Sequence, residues 1–239
     1  ARADAPRRPP LAHRAARGPA PKSVGYREVP TSLDWRKRGA ITPVPDDRQC
    51  GGACVTYAYA GIGAAINQIR GYTSVLTALS SQQLLDCDTT GDCGCATGCL
   101  AEAPFQTLLN NGGLWDTAAS YPSRFTELGQ CMEHNASVVI GGKVSRMIPI
   151  EKHNVRALTT ALLQGPVGVE VYAVPWELYT GGVLTDCGAG QLDYVALLVG
   201  YDDSEPQPYW ILRTTWGTDF GEDGYVRIAK GQNNTCGIT

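Results

Sequence analysis

The sequence predicts an α+β chain in which a helical half precedes a β half, on three observations. The stretch beginning at Cys54 carries apolar residues at helical spacing. The pair Gly165-Pro166 stops the last helical segment. Beyond that pair, strand-like runs alternate with turns rich in Gly, Asp and Pro. Helices first and strands later is the pattern of segregated layers rather than of an alternating parallel sheet. The 239 residues, 43% of them hydrophobic and 18% charged, suffice to bury the core of one large domain or two small halves.

Residues 1–28 stand apart. Up to position 27 there are seven cations (Arg2, Arg7, Arg8, Arg14, Arg17, Lys22 and Arg27) against Asp4 alone. The formal charge of the chain is −3, so this +6 segment precedes a body of −9. Five prolines, seven alanines and no apolar periodicity leave it unable to form a core. It reads as a solvated leader or as an arm for an acidic partner. From Val29 the character changes, through Pro30-Thr31-Ser32-Leu33-Asp34-Trp35 to the cluster Cys50-Gly51-Gly52-Ala53-Cys54. Ala58, Ile62, Ala65, Ile66 and Ile69 then mark one helix face, while Ala60, Gly61, Gly63 and Ala64 are unusually small. Small side chains let a second layer approach, so this is expected to be a buried central helix. Ser80-Ser81-Gln82-Gln83 has the capping-box pattern for a second helix. A Gly- and Cys-rich loop (91–98) and helical segments at 101–109 and 158–163 follow. Strands are expected at 167–172, 194–199, 209–213 and 224–228.

Nine cysteines exceed what a cytosolic enzyme of this size carries, and no repeated C-x2-C pairing suggests a metal. Neither a metal nor any other cofactor is expected. Two Asn-x-Ser/Thr triplets, at Asn135 and Asn233, are glycosylation acceptors if the chain is secreted. Together these features favour the secretory pathway, with an extracellular or lysosome-like destination. The longest apolar stretch, Tyr194 to Tyr201, is too short to span a bilayer, and no membrane span is expected. An acidic body leaves no case for nucleic-acid binding.

Six motifs then recur in a familiar order: Leu33-Asp34-Trp35-Arg36, Gly39-Ala40-Ile41-Thr42-Pro43-Val44, Leu84-Leu85-Asp86-Cys87, Leu192-Asp193, Val199-Gly200-Tyr201, and the run from Trp216-Gly217 to Gly224-Tyr225. With these the chain resembles papain and the cathepsins. The resemblance covers nearly everything from Val29 to Cys236. It implies a papain-like domain over 29–239 with a helical half (about 50–130) carrying the central helix. An antiparallel, barrel-like β half (about 131–239) and a cleft between the halves complete it. Because it starts at alanine and ends soon after Cys236, the chain is expected to lack any leader and the family's C-terminal stretch.

The chemistry of that family needs a thiol ionised by an imidazolium, a residue that orients the imidazole, and donors for the oxyanion. Cys54 falls at the nucleophile, but the run before it is one residue longer than the signature and the following aromatic is Val55. Asp47 stands where the oxyanion glutamine belongs, with Gln49 displaced towards the nucleophile. Tyr194 stands at the histidine and Thr214 at the orienting asparagine. His134 and His153 lie 80 and 99 residues beyond Cys54, short of the family interval, and His13 is in the arm. A phenol with a pKa near ~10 is no general base at neutral pH. Tyr194 is expected to fill the imidazole space and to hydrogen-bond to Thr214 or to the Cys54 sulfur. Cys54 reads as a small buried hydrophobe, or as a thiol whose pKa the helix N-terminus lowers.

By the same resemblance, Gly98 takes the substrate-backbone position, Glu170 a specificity-pocket wall, and Leu192, Asp193 and Trp216 line the cleft. The family's bridges imply Cys50–Cys95, Cys87–Cys131 and Cys187–Cys236, with Cys93–Cys99 closing a tight loop and Cys54 left free. Whether Cys93 or Cys95 takes Cys50 stays open. Two functions follow as expectations. One is a non-catalytic homologue acting as a structural or protein-binding component through residues 1–27 and the cleft. The other is a divergent hydrolase with Cys54 as nucleophile and Asp47 or Asp193 as base.

Overall fold

The computed structural model describes residues 29–239 apart from 89–90, 92, 96–97, 100, 125–128, 133–138 and 232. The arm of residues 1–28 therefore lies outside the described residues. The elements in chain order are β1 (Ser32–Asp34), α1 (Cys54–Ile69), α2 (Ser81–Asp86), β2 (Cys93–Gly94), β3 (Gly98–Cys99), α3 (Ala103–Asn110), β4 (Leu114–Asp116) and β5 (Ile140–Lys143). Then come α4 (Val155–Leu162), β6 (Val167–Val171), β7 (Val183–Leu184), β8 (Tyr194–Asp202), β9 (Tyr209–Arg213) and β10 (Tyr225–Ala229). Short 3-10 turns at Gly51–Ala53, Val174–Leu178 and Thr235–Gly237 connect them.

The principal sheet runs β1-β8-β9-β10-β7, with β6 also on β8. Its pairings are antiparallel except β7 with β10, which is parallel. The path is open, so the barrel-like half expected from the sequence is a curved sheet and not a closed barrel. The first strand is a further difference. Leu33 pairs with Tyr201, so the segment before α1 adds a strand to the β half. Likewise β5 pairs with β4, which lies on the helical side of the boundary expected near residue 130.

Strand β8 is buried at every position from Tyr194 to Tyr201. Such a run lacks the two-residue alternation of a half-exposed strand because packed layers cover both faces. Helix α1 is one of those layers, and its small side chains permit the approach. A Cβ on Gly61 would sit 2.6 Å from Arg213 Nη2 and 3.0 Å from Leu197 Cδ2. One on Gly63 would sit 2.7 Å from Leu79 Cδ1 and 2.9 Å from the Trp115 ring.

Helix α2 starts as its sequence proposes, with Ser80 Oγ accepting the Gln83 amide at 3.0 Å. Only half of the capping box forms. Gln83 turns instead to β4, where its Oε1 accepts the Asp116 amide at 2.8 Å. Four disulfides staple the chain, Cys50–Cys95, Cys87–Cys131, Cys93–Cys99 and Cys187–Cys236, the pairs that the resemblance implies. Cys95 takes Cys50, which resolves the open choice, and Cys54 remains as a buried free thiol. Among the described residues no helix is long and apolar enough to cross a membrane.

Candidate functional site

The site lies where the loop entering α1 meets the end of β9. Cys54 is the first residue of α1 and is 7% exposed. Burial pushes its thiol up to about 11, which the amide of Val195 partly opposes and the charge of Asp47 reinforces. The expectation that a helix N-terminus would lower this pKa is therefore overturned. Desolvation of a thiolate in an apolar pocket outweighs the helix dipole.

Tyr194 opens β8 and is buried. Its hydroxyl lies 2.6 Å from Thr215 Oγ1 and accepts the Thr215 amide at 2.7 Å. Thr215 Oγ1 in turn donates to Asp47 Oδ2 at 2.6 Å. The hydroxyl of Thr215 thus faces Asp47, and the Tyr194 phenol donates to it. Neither partner proposed for Tyr194 from sequence is the one found. Thr214 uses its hydroxyl on the carbonyl of Gly224 at 2.9 Å, and a phenol reaches past the ring position of an imidazole to the next residue. Thr215 is the functional residue that sequence reasoning missed. Its signal was the doubled hydroxyl in Thr214-Thr215, since neighbouring residues of an extended chain point to opposite sides. Burial, with the charges of Asp47 and Cys54 nearby, raises the phenol well above its usual pKa.

Asp47 is 1% exposed. Burial raises its carboxyl to about 7, the Thr215 hydroxyl lowers it in part, and Asp46 adds repulsion. Its Oδ1 is buried and has no hydrogen-bond partner. The backbone follows the same line: the Asp47 amide donates to Thr215 O at 2.7 Å and the Gly217 amide to Pro45 O at 3.0 Å. Segment 45–47 therefore runs beside 215–217. Gln49, beyond it, is exposed.

An aromatic cluster walls the site. Trp216 lies 5.0 Å from Tyr194 and 4.7 Å from Phe220, centroid to centroid, and Trp176 packs edge-on against Tyr194 at 5.9 Å. Below it Arg213, fully buried, donates to Thr42 Oγ1 at 2.6 Å and to the Tyr57 carbonyl at 3.2 Å, which ties β9 to α1. Burial lowers its pKa to about 10.

The remaining residues expected in the cleft are dispersed around this centre. Gly98 has φ +82° and open space where a Cβ would stand. Glu170 is exposed on β6, opposite Val195, which follows Tyr194. Leu192 is exposed, and Asp193 Oδ1 accepts the Ala173 amide at 2.7 Å. Asp193 is thereby a loop anchor and stands apart from the Cys54 centre. Asn233 is exposed, while Asn135, His13 and His134 lie outside the described residues. His153 is on the surface, with Nδ1 3.4 Å from the Asn234 amide nitrogen.

Comparison with known proteins agrees with this geometry. The model of the papain family cysteine proteases matches residues 29–239. A cysteine proteinase of Trypanosoma brucei brucei is 38% identical over 208 residues, covering 86% of this chain and 45% of that protein. A cathepsin L-like peptidase of Aedes aegypti is 37% identical over 218 residues, covering 88% and 62% respectively. Among solved structures, the bromelain protease of Ananas comosus in complex with the E64 inhibitor superposes with a TM-score of 0.78 at 30% identity, covering 88% of this chain and 95% of that one. The digestive procathepsin L 3 of Tenebrio molitor gives a TM-score of 0.79 at 28% identity, covering 90% and 69%. The chain spans between 45% and 64% of the length of these curated relatives. On the match of its domain and on these relatives, the chain belongs to the papain family of cysteine proteases.

Proposed function

We propose that this papain-family chain does not turn over peptides, and that it acts as a structural or protein-binding component through its N-terminal arm and its cleft. The observation that carries this reading is the occupancy of the imidazole space by Tyr194. Its hydroxyl is committed to Thr215 on both sides, and the adjacent Cys54 thiol is raised to about 11. A thiol that titrates so high, beside an acid and a phenol, has no partner able to take its proton near neutral pH. The relatives are named as proteinases, and this reading departs from them on those residues alone.

A second reading has an observation of its own. Asp47, with a pKa of about 7, is in the range of a general base, and it lies close enough to perturb both Cys54 and Tyr194. Against it stand the hydrogen bond that holds Asp47 to Thr215 and the upward push of its charge on the thiol. Four disulfides and cathepsin-like relatives support a secretory or lysosomal route. A proline-rich arm of +6 beside a body of −9 suits an acidic protein surface, because a partly extended segment loses less entropy on docking.

The test is hydrolysis of fluorogenic peptides between pH 4 and 8, with labelling by an active-site-directed thiol probe. No turnover and no labelling are expected. Robust hydrolysis abolished by Cys54→Ala overturns the proposal. Loss of that activity in Asp47→Asn as well would establish the second reading. For the arm, association measured at low and high salt with and without residues 1–27 is expected to weaken on deletion. Unchanged assembly argues against a role for it.

A further inference from the structure

One buried titratable group has no task in either reading of Cys54 as it stands: the carboxyl of Asp47, with one oxygen bonded and the other alone. Its surroundings define what it can do. Oδ2 accepts the Thr215 hydroxyl, that hydroxyl receives the Tyr194 phenol, and the phenol receives the Thr215 amide. Every polar atom of this chain is satisfied except Oδ1. The chain also crosses an interface. Asp47 belongs to the loop that enters α1, whereas Thr215 follows β9 and Tyr194 begins β8. Two backbone hydrogen bonds, Asp47 N to Thr215 O and Gly217 N to Pro45 O, run alongside.

We propose that Asp47, Thr215 and Tyr194 form a proton-operated latch between the loop entering α1 and the segment after β9, closed on acidification and loosened as the pH rises. The atoms balance simply: one proton adds to Oδ1, the carboxyl becomes neutral, and the Oδ2–Thr215–Tyr194 chain keeps its direction. With the proton gone, a charged and unpartnered oxygen is shut away from water. Hydrating it requires segment 45–47 to part from 215–217.

The groups packed around Asp47 leave it as the one that titrates in the relevant range. Cys54 is raised to about 11 and Tyr194 is raised well above its usual value, so both stay neutral from pH 5 to 8. Asp46, held down at about 2 by its bonds to Arg48, stays charged throughout. Arg48 itself is exposed and shared between Asp46 and Asp219. Burial places the Asp47 transition at about 7. The latch holds independently of whether the chain hydrolyses peptides.

Hydrogen exchange followed by mass spectrometry on the intact chain tests this. Peptides covering 44–54 and 209–218 are followed at pH 5 to 8, with correction for intrinsic exchange. Protection of those two segments is expected to fall by up to roughly a hundredfold across that range, the limit set by a carboxyl that reverts to its ordinary pKa on opening. Asp47→Asn is expected to remove the fall. Thr215→Val is expected to move the midpoint to higher pH, since the lost hydroxyl is what lowers the carboxyl's pKa. A merely structural threonine would shift protection without shifting the midpoint. An equal fall in Asp47→Asn overturns the latch. So does a flat profile of the unaltered chain, a result that needs no variant to fold.

Discussion

Replacing Gly61 by alanine sets two effects of known size against each other. In an isolated helix the change stabilises by about 1 kcal/mol, because glycine loses more backbone freedom on folding. Here the added Cβ meets Arg213 Nη2 at 2.6 Å and Leu197 Cδ2 at 3.0 Å. Leu197 is 1% exposed and Arg213 2%, so neither has room to yield. Moving the guanidinium strains its bonds to Tyr57 O and Thr42 Oγ1, and charge-assisted bonds of this kind contribute about 1.5–3 kcal/mol each. Overpacking of a filled core typically costs about 1–3 kcal/mol. The steric term wins, and Gly61→Ala is expected to destabilise by about 1–2 kcal/mol net. Urea unfolding with the disulfides intact measures this directly. In a thermal scan the shift is expected to be about 2–4 °C downward for each kcal/mol. Gly51→Ala is the control, because nothing lies within 4 Å of its Cβ position. A Gly61→Ala chain as stable as the parent would refute the reasoning that close approach of α1 to β8 and β9 requires the small residue.

Two further outcomes follow from the site. Thiol titration at pH 8 should find one slowly reacting group in the folded chain and one fast group in guanidinium, since a pKa near 11 cuts the thiolate fraction by roughly a hundredfold; rapid reaction of the native thiol would contradict the buried geometry. Restoring Tyr194→His and Thr214→Asn together should not yield a fully active peptidase, because Asp47 still stands at the oxyanion position. Activity equal to that of an active relative assayed in parallel would show that Asp47 is harmless there.

How much of this was legible beforehand differs from element to element. Helix α1 was visible in its apolar spacing and its small residues, and α2 in the Ser80 cap, because both signals are local. The later strands were visible in their runs of Val, Tyr, Ile and Leu. Strand β1 was not, for Ser32-Leu33-Asp34 is three residues whose extended form exists only through pairing with Gly200, Tyr201 and Asp202. The two-residue β7 is hidden for the same reason. The barrel-like expectation failed because sheet closure depends on strand tilt and on edges finding partners, and neither is written in any one strand.

For the site, order along the chain sufficed to put Cys54, Asp47, Tyr194 and Thr214 in the positions that the family resemblance implies, and to expose the missing imidazole. Motif order carries position, since each fragment is matched by its neighbours. What only the tertiary structure decided was which hydroxyl Tyr194 meets, the lowering or raising of the Cys54 pKa, and the isolation of Asp47 Oδ1. Each is a balance between desolvation and a contact made across more than a hundred residues, as in the bond from Thr215 to Asp47. Such balances arise only when α1, the loop before it and the end of β9 are packed against one another and water is excluded.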